Sequence, residues 1–204
     1  MDYPLDSLAG LRPNDVVAEM GTHQGEAALR LTIAPGAQTS DCPTFAMIGD
    51  LDFGDGSIEV ELASQPAPDA PEGARGFAGL AFRIAPDISS FEGIYLRPTN
   101  GRAPVQLRRN RSCQYFSYPD YKFDRLRAEA AGEYESYVDL EPGAWTRMRI
   151  EVEGTAARLF VHDAGQPTLI VNDLKLGAEA HGSVGLFIDM GTEGFFRNLR
   201  VNPK

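Results

Sequence analysis

A chain of 204 residues, 43% hydrophobic and 24% charged, can bury a sizeable core and is neither disordered nor fibrous in composition. Its net charge of −10 argues against a general nucleic-acid binder. No apolar run approaches the ~20 residues that span a bilayer, and the start, MDYPLDSLAGLRP, has neither the basic nor the apolar region of a secretory signal, so no membrane partner and a cytoplasmic location are expected.

Residues 1–24 are weakly patterned and read as an N-terminal approach segment before a strand over Ala27 to Ile33. GDLDFGDG then gathers Asp50, Asp52 and Asp55 in a tight turn, the kind of oxygen cluster from which Ca²⁺ draws ligands. The full calcium-loop spacing is missing and turn chemistry accounts for the Asp and Gly, so no metal or other cofactor is expected there. From Gly56 onward, short runs alternate apolar and polar residues, the signature of strands with one buried face. In GSIEVELA, Ile58, Val60 and Leu62 share a face. Residues 64–76 are too rich in Pro and Gly for a ladder and read as an exposed loop. GFAGLAFRIA turns Ala78, Leu80, Phe82 and Ile84 inward and leaves Phe77, Gly79, Ala81 and Arg83 on the second face. EGIYLRP follows with Ile94 and Leu96 inward. The Ala-rich stretch within residues 121–134 predicts one short helix inserted between strands, ending near Gly132. WTRMRIEVEG, AARLFVHD, TLIVNDLK, GSVGLFIDM and FFRNLRV continue the strands to the C-terminus. The prediction is one all-β domain over residues 1–204, a two-sheet antiparallel sandwich.

Charge is distributed unevenly. Between Arg97 and Arg127 eight Arg and Lys stand against two Asp, a net of +6 that leaves −16 for the remainder. Cys42 and Cys113 lie far apart and belong to no metal-binding spacing, so buried free thiols are expected. His23, His162 and His181 are scattered and read as surface or loop residues.

The succession of DGSIEVELA, GFAGLAFRIA, GIYLRP, GAWTRMRIEVEG, GSVGLFI and FFRNLRV resembles the concanavalin A-like lectin/glucanase superfamily, especially its laminin-G-like and 3-keto-disaccharide-hydrolase-like bacterial members, over roughly residues 25–202. The resemblance implies a jelly roll whose concave face commonly binds carbohydrate, and it implies no particular reaction. Members that hydrolyse β-glucans carry E-x-D-x-x-E on the strand matching residues 93–97. Here Gly93, Tyr95 and Arg97 hold the outward positions, which disfavours that chemistry.

Tyr95, Arg97 and Arg83 would share that outward face if their strands are neighbours, giving a ring for stacking beside guanidinium donors. The segment Arg108 to Tyr121 interleaves Arg108, Arg109 and Arg111 with aromatics, and Gln114 and Tyr115 are candidate rim contacts. Acid/base candidates are Glu92, Asp189 and Glu193, any of which would need a raised pKa. The expected function is binding or processing of a carbohydrate or similar polyhydroxylated small molecule on the concave face. The alternatives are a glycoside-processing enzyme of the keto-disaccharide type, which requires carboxylates or a metal converging on Tyr95 and Arg97, and a protein-interaction domain with that face closed.

Overall fold

The structure, a computed structural model, describes residues 1–204. Strand makes up 47% of it and helix 7%, which fixes the class as all-β. In chain order the strands are β1 (Asp2–Tyr3), β2 (Leu11–Asn14), β3 (Val16–His23), β4 (Glu26–Ile33), β5 (Phe45–Ile48), β6 (Gly56–Pro66), β7 (Ala78–Ile84), β8 (Phe91–Leu96), β9 (Cys113–Tyr118), β10 (Glu135–Ser136), β11 (Thr146–Glu153), β12 (Ala156–Val161), β13 (Leu169–Val171), β14 (Ser183–Ile188) and β15 (Thr192–Pro203). Three helical turns, α1 (Pro98–Gly101), α2 (Gln106–Arg109) and α3 (Phe123–Glu129), lie in the connections flanking β9. One sheet runs β13-β12-β11-β6-β15-β4-β3 with β1 added at β15, and the other runs β10-β9-β8-β7-β14-β5-β2. All pairings are antiparallel. No helix is long and apolar enough to cross a membrane.

The first sheet follows period two. Ile58, Val60 and Leu62 are buried while Ser57, Glu59 and Glu61 are half-buried, and on the neighbouring strand Met148 and Ile150 lie opposite Val60 and Ile58. The second sheet is buried on both faces along β7 and β8, because each face has something to cover. Leu80, Ile94 and Leu186 are cross-strand neighbours on the aliphatic side, and Ile188, two residues beyond Leu186 on β14, packs where Gly194 of the other sheet has no side chain. The opposite face carries rings: Tyr95 and Phe187 stack with centroids 5.7 Å apart, Phe116 lies 5.2 Å from Phe187, and Phe91 lies 5.6 Å from Phe116. Gly93 is required beneath this layer, since a Cβ there would collide with the Phe116 ring. The insertion and the loop before β5 lie over the layer's edge. Lys122 sits above the Tyr118 ring and donates to Cys42 Sγ at 3.3 Å.

Several expectations are corrected. The N-terminal approach segment holds β1, β2 and β3, whose partners β15, β5 and β4 are remote or adjacent strands that a local pattern does not reveal. The predicted single helix is α3, only seven residues long, and α1 and α2 join it. β6 extends to Pro66, so the exposed loop starts later than Ser64. Cys42 and Cys113, by contrast, are both buried and free as expected.

Candidate functional site

The aromatic face ends in a built polar site. Tyr95 closes β8 on that face, and the backbone N–H of Arg97 still donates to Ser112 O at 2.7 Å before Pro98 opens α1. This extension buries Arg97, which is 5% exposed, and its two terminal guanidinium nitrogens find four acceptors. Nη2 donates to Gln114 Oε1 at 2.6 Å and to Tyr95 OH at 2.9 Å, and Nη1 to Glu135 Oε1 at 3.1 Å and Arg111 O at 3.2 Å. Because Arg only donates, the Gln114 amide oxygen must face it, which leaves Gln114 Nε2 buried without a partner. Glu135 also receives Arg127 at 2.5 Å and Arg111 at 3.4 Å. Burial opposes its ionisation, but these guanidinium groups outweigh that and hold its pKa below the usual carboxylate value.

Tyr95 and Arg97 line a cavity of about 300 Å³. Its apolar walls include the half-exposed rings of Phe77 and Phe123, and Phe77 meets Tyr95 edge-on at 5.8 Å. Two carboxylates enter it, Asp41 and Asp189. Asp189 is a clamp: its oxygens accept the backbone N–H groups of Ser40 and Asp41, each at 2.8 Å, and of Met190 at 2.6 Å. Asp41, held with φ 55° by that clamp, accepts Phe123 N–H through Oδ2 at 2.6 Å. Its Oδ1 is buried and meets no hydrogen-bond partner, although the Tyr95 hydroxyl lies close by. Burial, reinforced by the Asp189 charge and opposed by the Phe123 N–H, pushes the Asp41 pKa up to about 7.

A folded carboxyl titrating near 7, against about 3.9 in an unfolded chain, makes the folded state hold an extra proton between those values. Its stability contribution therefore grows as pH falls from 7 towards 4. Between pH 7 and pH 5 the gain is roughly 2 kcal/mol, or about 4–8 °C in Tm for a chain of this size. Thermal melts at the two pH values check this, and Asp41→Asn should remove that part of the slope. Glu92, also raised by burial, acts in the same direction and stays in the variant.

No family model matches the chain, and no curated protein is similar to it. Solved structures are. The carbohydrate-binding module CBM66 from Bacillus subtilis superposes over 92% of this chain and 94% of its own with a TM-score of 0.58 and 12% identity. A protein of unknown function with a galectin-like fold, also from Bacillus subtilis, gives 0.58 and 14% over 99% and 94% of the two chains. A candidate glycosyl hydrolase from Parabacteroides distasonis gives 0.59 and 12% over the whole of both. The fold is the antiparallel two-sheet jelly roll that these structures share. At these identities the likeness concerns the jelly roll and leaves its ligand to the site itself.

Against the jelly-roll frame the expected site residues separate. Tyr95, Arg97 and Gln114 come together as described, and Asp189 joins them at the cavity. Tyr95 is 1% exposed, so it is part of the floor, and the rings a ligand can reach are Phe77 and Phe123. Arg83 does not join this set. β7 carries an extra residue where Ser183 pairs Ile84 but Gly185 pairs Ala81, and Arg83 takes φ 54° there. The bulge turns its side chain to the far end of the sandwich, where it donates to the carbonyls of Gly54, Gly154 and Gly177 and to Asp55. Glu92 and Tyr115 lie on the aliphatic face, bonded to each other at 2.6 Å and tied to the loop after β13 through Leu176 N–H and Lys175 N–H. Glu193 sits on the other sheet, paired with Arg30 and Gln65. Asp50, Asp52 and Asp55 diverge, Asp52 to His181 and Asp55 to Arg83, and no cluster of three ligating side chains exists there.

The basic segment divides as well. Arg108 and Arg111 line the cavity, while Arg109 packs on Tyr137 at the surface. The residues not singled out from the sequence are Asp41, Arg75, Phe77, Asn100, Phe123, Arg127 and Glu135. The one available signal was the +6 segment, from which Arg97, Arg108, Arg111 and Arg127 converge.

Proposed function

We propose that this jelly roll binds a carbohydrate or similar polyhydroxylated ligand in the cavity above Tyr95 and Arg97. The observation that carries the reading is the combination, in one 300 Å³ recess, of accessible rings at Phe77 and Phe123 with a buried acceptor, Asp41 Oδ1, that has no partner. A sugar offers both complements, a C–H face for the rings and hydroxyls for the carboxylate. The carbohydrate-binding module among its structural relatives supports the same class of ligand. Nucleic acid does not fit a chain of charge −10, and two free buried cysteines favour a reducing compartment. The test is calorimetric titration of the best ligand from a glycan array into wild type and Phe77→Ala, expected to weaken binding roughly 5–10-fold with Tm little changed. Equal affinity in both folded proteins would contradict the reading.

A second reading is favoured by one observation: Asp41 and Asp189 converge on Tyr95 and Arg97, as a glycoside-processing site requires. In it Asp41 is the group that transfers a proton, because a carboxyl titrating near neutrality both gives and takes one. Asp41→Asn would then abolish turnover of a bound saccharide while leaving binding within a few-fold; a saccharide that binds yet is never converted by wild type leaves the binding function alone.

A further inference from the structure

We infer that the ligand is an acidic saccharide, its carboxylate or sulfate held between Arg75 and Arg108; this rests on the carbohydrate reading of the cavity above. Five guanidinium groups, of Arg75, Arg97, Arg108, Arg111 and Arg127, line one recess of a protein whose net charge is −10. The carboxylates nearby do not answer all five. Glu135 is shared by Arg97, Arg111 and Arg127. The oxygens of Asp189 are taken by three backbone N–H groups, and Asp41 is buried on the Phe123 side with one oxygen engaged. That leaves Arg75 and Arg108 without a carboxylate in salt-bridge contact, Glu72 acting on Arg75 only through its more distant charge. Arg75 donates through Nη1 to the carbonyls of Glu72 and Ala74. Arg108 holds Asn100 Oδ1 at 3.2 and 3.3 Å and Thr99 O at 3.4 Å, long contacts that a charged acceptor would readily replace.

The Arg108 charge also bears on Arg75. Burial first, and then the Arg108 charge, lowers the Arg75 pKa against the opposing charge of Glu72, so an anion between the two guanidinium groups would relieve like charge. A guanidinium fork matches the planar pair of oxygens of a carboxylate or sulfate, and desolvation in a recess strengthens the contact. The geometry therefore divides the labour. Arg75 and Arg108 take the anionic substituent, Phe77 and Phe123 take the ring face, and Asp41 Oδ1 accepts a hydroxyl.

The experiment is a glycan array carrying uronate, sialylated, sulfated and phosphorylated glycans, each beside its neutral parent, followed by calorimetry of the leading pair at low and high salt. The expected result is binding of acidic glycans at least about tenfold tighter than of their neutral parents, weakening as salt rises. Arg75→Gln and Arg108→Gln should each lose about tenfold for the acidic glycan and clearly less for the neutral parent, because glutamine keeps a polar donor at the cavity and removes only the charge. Comparison of uronate with sulfate probes tells which anion fits. Preferential binding of neutral glycans, or acidic binding indifferent to both variants, would overturn the inference and leave the carbohydrate reading standing. Binding of no glycan of either kind would overturn both.

Discussion

Replacing Arg83 with methionine is expected to lower the stability of the domain by about 3 kcal/mol, seen as a fall in Tm of about 6–12 °C, without touching the ligand cavity. The Arg83 side chain is fully buried, and its donors satisfy Asp55 Oδ1 at 3.0 Å and the carbonyls of Gly54, Gly154 and Gly177 at 3.1, 2.9 and 2.9 Å. These acceptors come from three separate connections, β5–β6, β11–β12 and β13–β14, so the guanidinium ties that end of the sandwich together. Methionine fills part of the volume and restores none of the bonds. Asp55→Asn should cost clearly less, because the 36%-exposed Asp55 is only one of four acceptors. Thermal or urea unfolding of both variants checks the order. An Arg83→Met protein as stable as wild type would show that solvent can replace the guanidinium, and would remove its structural role.

Tyr95 should separate folding from binding. Truncation to alanine removes a ring packed between Phe77, Phe116 and Phe187, and cavities of that kind cost about 3–5 kcal/mol, or about 6–20 °C of Tm. Tyr95→Phe keeps the ring and loses only the hydroxyl that accepts from Arg97 and neighbours Asp41, a cost of about 1 kcal/mol. The phenylalanine variant is thus the informative one for the cavity. It should remain folded and shift the Asp41 titration upward, since the hydroxyl helps to hold that carboxylate charged. A Tyr95→Ala variant that melts within a degree or two of wild type would mean that the aromatic layer is not a packed core.

The jelly roll was legible because its strands obey period two where one face is solvated, as in the run Ile58, Val60, Leu62 beside Glu59 and Glu61. The phase of Tyr95 and Arg97 was legible for the same reason. Burial of their face was not, since a second hydrophobic layer formed by Phe91, Phe116 and Phe187 looks, residue by residue, like ordinary strand composition. Arg83 went astray for a definite cause. One extra residue in β7 reverses the side on which it emerges, and no pattern in GFAGLAFRIA marks the bulge. Burial of Arg83 and Arg97 was not legible either, because most of their acceptors, Gly54, Gly154 and Gly177 for one and Gln114 and Glu135 for the other, come from segments distant in sequence. Asp41 was invisible for the converse reason: its burial and its clamp by Asp189 depend on a contact 148 residues away.

A crystal structure of the protein with the tightest-binding saccharide from the array tests the site most directly. The prediction is density for the sugar in the recess, its ring against Phe77 and Phe123, a hydroxyl on Asp41 Oδ1 and an anionic group between Arg75 and Arg108. Density on the outer face of the other sheet, beside Trp145 and Arg197, with the recess unoccupied, would contradict it.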